Sequence, residues 1–300
     1  MDFNHIALVG LGLIASSIAL NIKSKKNRIK ITGYSRTKKT REEARKINFC
    51  TVCDNYEDCI KEANLVILCV PVGAMGDTME KIAPYLSKSA IVTDVGSVKE
   101  SVILEVQKKL PQGVFFVPAH PLAGTENSGP SAGFASLFEN RWCILTPSKN
   151  VPIEIIKKVK FFWEQLGSNV VEMDAKHHDL VLSVTSHAPH LIAFTMVGVA
   201  DEFSKVTNSE VINYSAAGFR DFTRLAASDP IMWRDVFLNN KDAALEILGR
   251  FTEELFTLQK AIRKKDGEYL LKYFERTRKI RRSIISAGQD TAEPNFGRKE

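Results

Sequence analysis

Val9-Gly10-Leu11-Gly12-Leu13-Ile14-Ala15 is the stretch on which the fold turns. It closes an apolar run at residues 5–10 and opens a helix-like segment at 13–23. Glycines spaced this way between a strand and a helix form the G-x-G-x-x-G/A fingerprint of a dinucleotide site. Gly10 permits the tight turn, and Gly12 lets the backbone approach a pyrophosphate. The helix beginning at Leu13 and Ile14 offers its positive N-terminus to that anion. Ala15 takes the place of the third glycine, where strand and helix pack closely.

The sequence on either side of the motif alternates as this reading requires. Strand-like runs at 29–35, 65–70, 91–95, 115–118, 142–146 and 170–173 are separated by amphipathic segments at 38–47, 74–86, 99–108 and 152–166. Such alternation predicts an α/β fold, a Rossmann-type doubly wound and mostly parallel sheet with helices on both faces. At Asp174 the pattern changes. Helical periodicity alone runs through 175–203, 230–263 and 267–286, and the apolar content of these helices predicts an interface between copies of the chain. The expected organisation is a dinucleotide-binding domain at 1–173, an all-helical substrate-binding and dimerisation domain at 174–288, and a polar tail at 289–300.

The chain of 300 residues is 44% hydrophobic and 25% charged, so it can bury a substantial core and is not of the disordered class. No uninterrupted apolar run approaches the ~20 residues of a membrane span, and the N-terminus has no basic leader followed by an apolar stretch. A cytoplasmic protein that binds neither membrane nor nucleic acid is expected. The net charge of +6 is concentrated between Lys23 and Lys46, where eleven Lys/Arg face two Glu. Five scattered cysteines do not suggest a disulfide framework. Cys50 and Cys53 have redox or zinc spacing but no second Cys/His pair beside them, so no metal site is expected there.

Cofactor choice is read at the end of the second strand. An acidic residue there would bind the ribose 2′-hydroxyl of NAD, but the chain reads Gly33-Tyr34-Ser35-Arg36. A hydroxyl and a guanidinium suit a 2′-phosphate, so NADP is favoured over NAD. Val70 and Pro71, and the run Asp94-Val95-Gly96-Ser97-Val98-Lys99, also fall at carboxyl ends of strands, where such sheets bind ligands. Ser97 is read either as part of the site or as a helix cap.

Three further clusters carry chemistry. His120, in Pro118-Ala119-His120-Pro121 on a predicted loop, is either a general base for an alcohol or a structural residue. His187 and His190 share one helix face, but lack a third ligand at metal spacing. Arg224, in Phe222-Thr223-Arg224, is either a clamp for a substrate carboxylate or part of a helix-end ion pair.

Taken together, GLGLIASSIA, VILCVPVGAM, DVGSVK, HPLAGTENSGP, SHAPHLIA and GFRDFTRLAASDPIMWRDVF resemble the prephenate dehydrogenase family, which includes the arogenate and cyclohexadienyl dehydrogenases. The likeness runs over roughly residues 5–286. It implies an NAD(P)-dependent oxidative decarboxylation of prephenate or arogenate in tyrosine biosynthesis, by a homodimer joined through its helical domain. It also implies that His120 takes the proton of the ring hydroxyl and that Ser97 supports that hydroxyl and the nicotinamide region. Arg224 would bind a substrate carboxylate, and His190 and Trp233 would line the pocket, with His187 beside them. Thr125 and Glu126 would lie at its mouth. Ala217 departs from the family pattern, standing where a pair of glycines often precedes the FRDFTR run. The runner-up, a β-hydroxyacid dehydrogenase, would want an asparagine four residues after Lys176, where this chain has Leu180.

Overall fold

A computed structural model describes residues 3–25, 28–125, 127–204 and 214–286. The chain divides into two compact units, Met1–Ala244 and Leu245–Glu300. The first is built on six parallel strands: β1 (His5–Val9), β2 (Lys30–Tyr34), β3 (Thr51–Val52), β4 (Leu65–Leu68), β5 (Ile91–Asp94) and β6 (Phe115–Val117). Their order in the sheet is β3-β2-β1-β4-β5-β6. β1 and β4 are buried along their whole length, as expected of parallel strands covered on both faces. Accordingly the sheet has a core on each side. One contains Ile6, Leu8, Ile67, Phe138, Phe162 and Trp163; the other contains Ala7, Val9, Val66, Leu68, Met75, Val92 and Phe116.

The helices between strands are α1 (Leu13–Ser24), α2 (Lys38–Ile47), α3 (Tyr56–Ile60), α4 (Met75–Ile82) and α5 (Glu100–Gln107). Successive strands are added outward in one direction from β1 to β3 and in the other from β4 to β6, which makes the space beyond the carboxyl ends of β1 and β4 the topological switch point. Gly10 and Val70 lie there. Thr37 starts α2 by accepting the Thr40 N–H, and Asn48 ends it in the left-handed conformation, with φ of 58°.

After β6 the chain turns at Pro118 into a second sheet, of β7 (Ala119–Pro121), β8 (Trp142–Leu145) and β9 (Asn169–Glu172), with α6 (Ile153–Gln165) between the last two. β7 pairs antiparallel to β8, placing His120 opposite Ile144. His120 therefore sits on a short buried strand and not on the predicted loop. The Thr146 N–H donates to the Pro118 carbonyl and the Leu122 N–H to the Trp142 carbonyl, which ties both ends of β7 to β8. A loop from β7 crosses to the first helices: Phe134 N–H donates to Ser17 Oγ, Asn21 Nδ2 to the Ala135 carbonyl, and Ser131 N–H to Glu43.

From α7 (Ala175–Leu182) onward the described residues form helices. Asp174 caps α7 by accepting the N–H groups of Lys176 and His177. A π-helical turn, Ser183–His187, joins α7 to α8 (Ala188–Ser204). The helical stretch expected over 230–263 is broken at Asn240, between the helices Pro230–Asn239 and Lys241–Lys264. Its buried side chain is engaged in bonds to the active-site region described below. In the second unit, Lys265 takes a φ of 53° before the helix Gly267–Ser286. The predicted tail at 289–300 and Glu126 lie outside the described residues.

Candidate active site

The dinucleotide motif is shaped as its glycines require. Gly10 has a φ of +99°, and a Cβ there would lie 2.3 Å from the Cys69 carbonyl oxygen, so only glycine fits between β1 and β4. A Cβ on Gly12 would meet nothing within 4 Å. α1 begins at Gly12 with no side-chain cap and no acidic residue in its first turn. Open space above uncapped helix N–H groups fits a pyrophosphate. Leu13, Ile14 and Val70 are half-buried around this opening, and Pro71 is exposed. Ser35 and Arg36 follow β2 on the neighbouring strand end, Ser35 half-buried and Arg36 exposed. Arg41 braces this turn by donating Nη1 to the carbonyls of Ser35 (2.7 Å) and Arg36 (3.1 Å), while its guanidinium lies 5.5 Å from the Tyr34 ring. No carboxylate takes the place of Ser35.

One strand over, the ends of β5 and β6 hold a buried polar group. Lys99 Nζ pairs with Asp94 Oδ2 and donates to the Ala119 carbonyl at 2.8 Å. Asp94 Oδ1 accepts the Ala119 N–H at 3.1 Å, and Oδ2 accepts the Gly96 N–H at 2.8 Å. Both side chains of the ion pair are fully buried. Together they fix the start of β7 and hence the position of His120.

His120 is buried, and its Nδ1 lies 2.9 Å from His178 Nε2. His178 Nδ1 lies 2.7 Å from Asp179 Oδ1. Asp179 in turn accepts the N–H of Lys99 (2.8 Å) and of Glu100 (2.9 Å), which ties α7 to the start of α5. Burial holds the His120 imidazole well below its ordinary pKa, and electrostatic repulsion of its charged form by His178, Lys99 and His187 acts in the same direction. Burial also lowers His178, against the upward pull of Asp179. Both rings are therefore neutral at neutral pH.

The π turn brings His187 into the same region. Its pKa is lowered to about 4, chiefly by burial. Asn240 Nδ2 lies 3.0 Å from His187 Nδ1 and 2.9 Å from the Asp179 carbonyl. His190 stacks on Trp233 with ring centroids 3.7 Å apart, and its Nδ1 lies 2.8 Å from the Ser186 carbonyl. Burial lowers its pKa, and the Arg224 charge adds to the effect. His187 meets the same Trp233 edge to face at 6.1 Å. The turn Arg224–Ala227 that carries Arg224 packs against α8. Ser97 is half-buried in the β5–α5 loop, and its backbone acts on His187.

The structure thus gathers His120, Ser97, His187, His190, Trp233 and Arg224 about the carboxyl end of β5 and the helices facing it. Thr125 is exposed on the loop after β7, bonded locally to Asn127. Ser35 and Arg36 stand apart, at the end of β2. The sequence reading did not single out His178, Asp179 or Asn240, and took Asp94 and Lys99 only as parts of a motif. The adjacent His177-His178-Asp179 on a predicted helix was the available signal.

Comparison with known proteins shows the family of the chain. The nucleotide-binding domain family of prephenate dehydrogenase matches residues 18–172, and the dimerization domain family of prephenate dehydrogenase matches residues 174–276. A cyclohexadienyl dehydrogenase of Zymomonas mobilis is 44% identical over 94% of this chain and 96% of its own length. A prephenate dehydrogenase of Bacillus subtilis is 35% identical over 97% of this chain and 78% of its own. Among solved structures, Aquifex aeolicus prephenate dehydrogenase in complex with hydroxyphenyl propionate and NAD+ superposes with a TM-score of 0.88. It is 33% identical, over 95% of this chain and 99% of that one.

Proposed function

Because the chain belongs to the prephenate dehydrogenase family and so catalyses the oxidative decarboxylation of a cyclohexadienyl acid in tyrosine biosynthesis, we propose how its own residues divide that work. The nicotinamide cofactor, when bound, accepts the hydride of the ring alcohol carbon. Gly10, Gly12, Leu13 and Ile14 hold its pyrophosphate, and Val70 and Pro71 flank it. His120 accepts the hydroxyl proton as a general base. The observation that carries this assignment is a buried, neutral imidazole fixed beside the carboxyl end of β5. Ser97 supports the same hydroxyl. Loss of carbon dioxide then aromatises the ring, so no protein group need act as an electron sink.

Arg224 binds a substrate carboxylate, and the stacked His190 and Trp233 form a wall of the pocket. His187 Nε2 and Trp233 Nε1 are buried without a hydrogen-bond partner among the described residues, as suits a pocket whose ligand completes it. Thr125 stands at the mouth. A spectrophotometric assay crossing prephenate and arogenate with NAD and NADP tests the reading as a whole. Turnover of neither acid would overturn it. A charged hydrogen bond contributes about 1.5–3 kcal/mol, so Arg224→Ala is expected to raise KM for the substrate by roughly ten- to a hundredfold. An unchanged KM, or a defect confined to cofactor binding, would return Arg224 to a structural role.

NADP is the favoured cofactor in this proposal, with NAD accepted. Ser35 and Arg36 provide a hydroxyl and a guanidinium where no carboxylate repels a 2′-phosphate. The Aquifex relative was crystallised with NAD+, which makes the comparison a sharp one. Ser35→Asp is expected to move the kcat/KM ratio toward NAD by about tenfold, the order of a single charged contact. A wild-type preference for NAD of about tenfold or more, or a ratio unmoved by Ser35→Asp, would leave the basic turn with no part in recognition.

A cytoplasmic homodimer joined through residues 174–288 completes the proposal. The helical stretch Ala175–Phe203 is long and apolar enough to cross a membrane by length and composition, yet only 28% of its most apolar window is buried within the chain. Met196, Val197, Val199 and Phe203 are exposed on it. A second copy covers that surface without a membrane, in keeping with the dimerization family matched there. Light scattering at micromolar concentration is expected to give twice the chain mass. A stable monomer would refute the dimer.

A further inference from the structure

The side chains behind His120 carry an inference that rests on its assignment as the base and goes beyond it. We propose that His178 and Asp179 are positioning residues that fix the tautomer of His120, leaving its Nε2 as the proton acceptor. The argument follows hydrogen-bond polarity along the chain of contacts. The Asp179 carboxylate already accepts two backbone N–H groups, from Lys99 and Glu100, and has only lone pairs to offer. His178 Nδ1, at 2.7 Å, must therefore carry the hydrogen. A neutral His178 then has a lone pair on Nε2. His120 Nδ1, 2.9 Å from it, must donate. The single hydrogen of a neutral His120 is thereby placed on Nδ1, and Nε2 is free to take a proton.

The reverse tautomers would set two lone pairs or two hydrogens against each other in a buried site, where an unmade hydrogen bond is costly. When His120 becomes charged, its Nδ1–H strengthens its bond to His178, and Asp179 at the far end offsets the positive charge. The other charged or titratable groups facing His120 are Lys99, already paired with Asp94, His187, and the buried Cys143 thiol on β8, which meets the His120 backbone. None contacts Nδ1. The frame is rigid because its anchors are backbone: Asp179 grips the start of α5, and β7 is held by Asp94 and Lys99.

The test uses the full chain with its cofactor and cyclohexadienyl substrate. Asp179→Asn removes the negative charge behind His178, and its amide NH2 must face either His178 Nδ1 and the Lys99 N–H or the Glu100 N–H, so the frame that orients both rings is disturbed either way. A loss in kcat of about a hundredfold or more is expected, with substrate KM changed less than about threefold, by analogy with other orienting carboxylates. The acid limb of kcat/KM should also move to lower pH, because the charged base has lost its counter-ion. Asp179 also anchors α5, so His178 supplies an independent reading. His178→Gln retains an amide oxygen able to accept from His120 and is expected to keep at least about tenfold more activity than His178→Leu. The proposal is overturned if Asp179→Asn folds with wild-type kcat and acid limb, or if His178→Leu matches His178→Gln. His120→Asn separates the two layers: a collapse there beside normal His178 variants sinks the relay alone, whereas an active His120→Asn sinks the base assignment.

Discussion

His120→Asn is expected to lower kcat by ~10²–10⁴, the usual share of a general base, while cofactor affinity stays close to wild type. The separation follows from position. His120 lies on β7 and bonds to His178, whereas the glycines proposed to hold the pyrophosphate follow β1. Asparagine retains polarity and keeps a short side chain able to meet His178, so the strand should still form. Burial keeps the imidazole below its ordinary pKa, so the base remains neutral as pH falls past that of a free histidine. The acid limb of wild-type kcat/KM should accordingly fall below pH ~6.5, the value for an unperturbed imidazole. A folded His120→Asn protein with near wild-type kcat would remove His120 from the chemistry.

Lys99→Met is expected to produce the largest loss of stability, about 3–5 kcal/mol, because it leaves the Asp94 carboxylate buried without a counter-ion. Asp94 would keep the N–H groups of Gly96 and Ala119, but these do not cancel a full charge in an apolar surround. The same change removes the donor to the Ala119 carbonyl, one residue before His120, so activity should fall with stability. Adding Asp94→Asn removes the orphaned charge and should recover part of the loss. Urea denaturation of the single and double variants measures both effects. A single variant within about 1 kcal/mol of wild type would show that the pair contributes little to holding β7.

What was legible in the sequence was what repeats locally. The turn after β1 declares itself because glycine is required beside the Cys69 carbonyl. β4 and most of β1 declare themselves because strands buried on both faces are largely apolar. The two-residue β3 and three-residue β7 are shorter than any periodicity can reveal. β7 exists because Ala119, His120 and Pro121 pair with Leu145, Ile144 and Cys143, more than twenty residues away. His120 was found as a residue but placed on a loop for that reason. His178 and Asp179 look like surface residues of a helix until α7 is laid against α5. Lys99, read from its own neighbourhood, gives no hint that Asp94 waits inside the core.

The π turn at Ser183–His187 divides one continuous helix into two of different phase. Each residue of an α-helix advances the facing direction by about 100°, and a π turn accommodates roughly one residue more than an α turn. Removing exposed Val184 or Thr185 would let the stretch close into ordinary α-helix, with His178 and His190 still looking the way they do now. The same deletion farther along α8 has no such slack and would swing every later side chain by about 100°. The helix that carries three of the site's histidines thus holds a spare residue between the first of them and the last, and with it tolerance to a shift in register that its regular turns do not have.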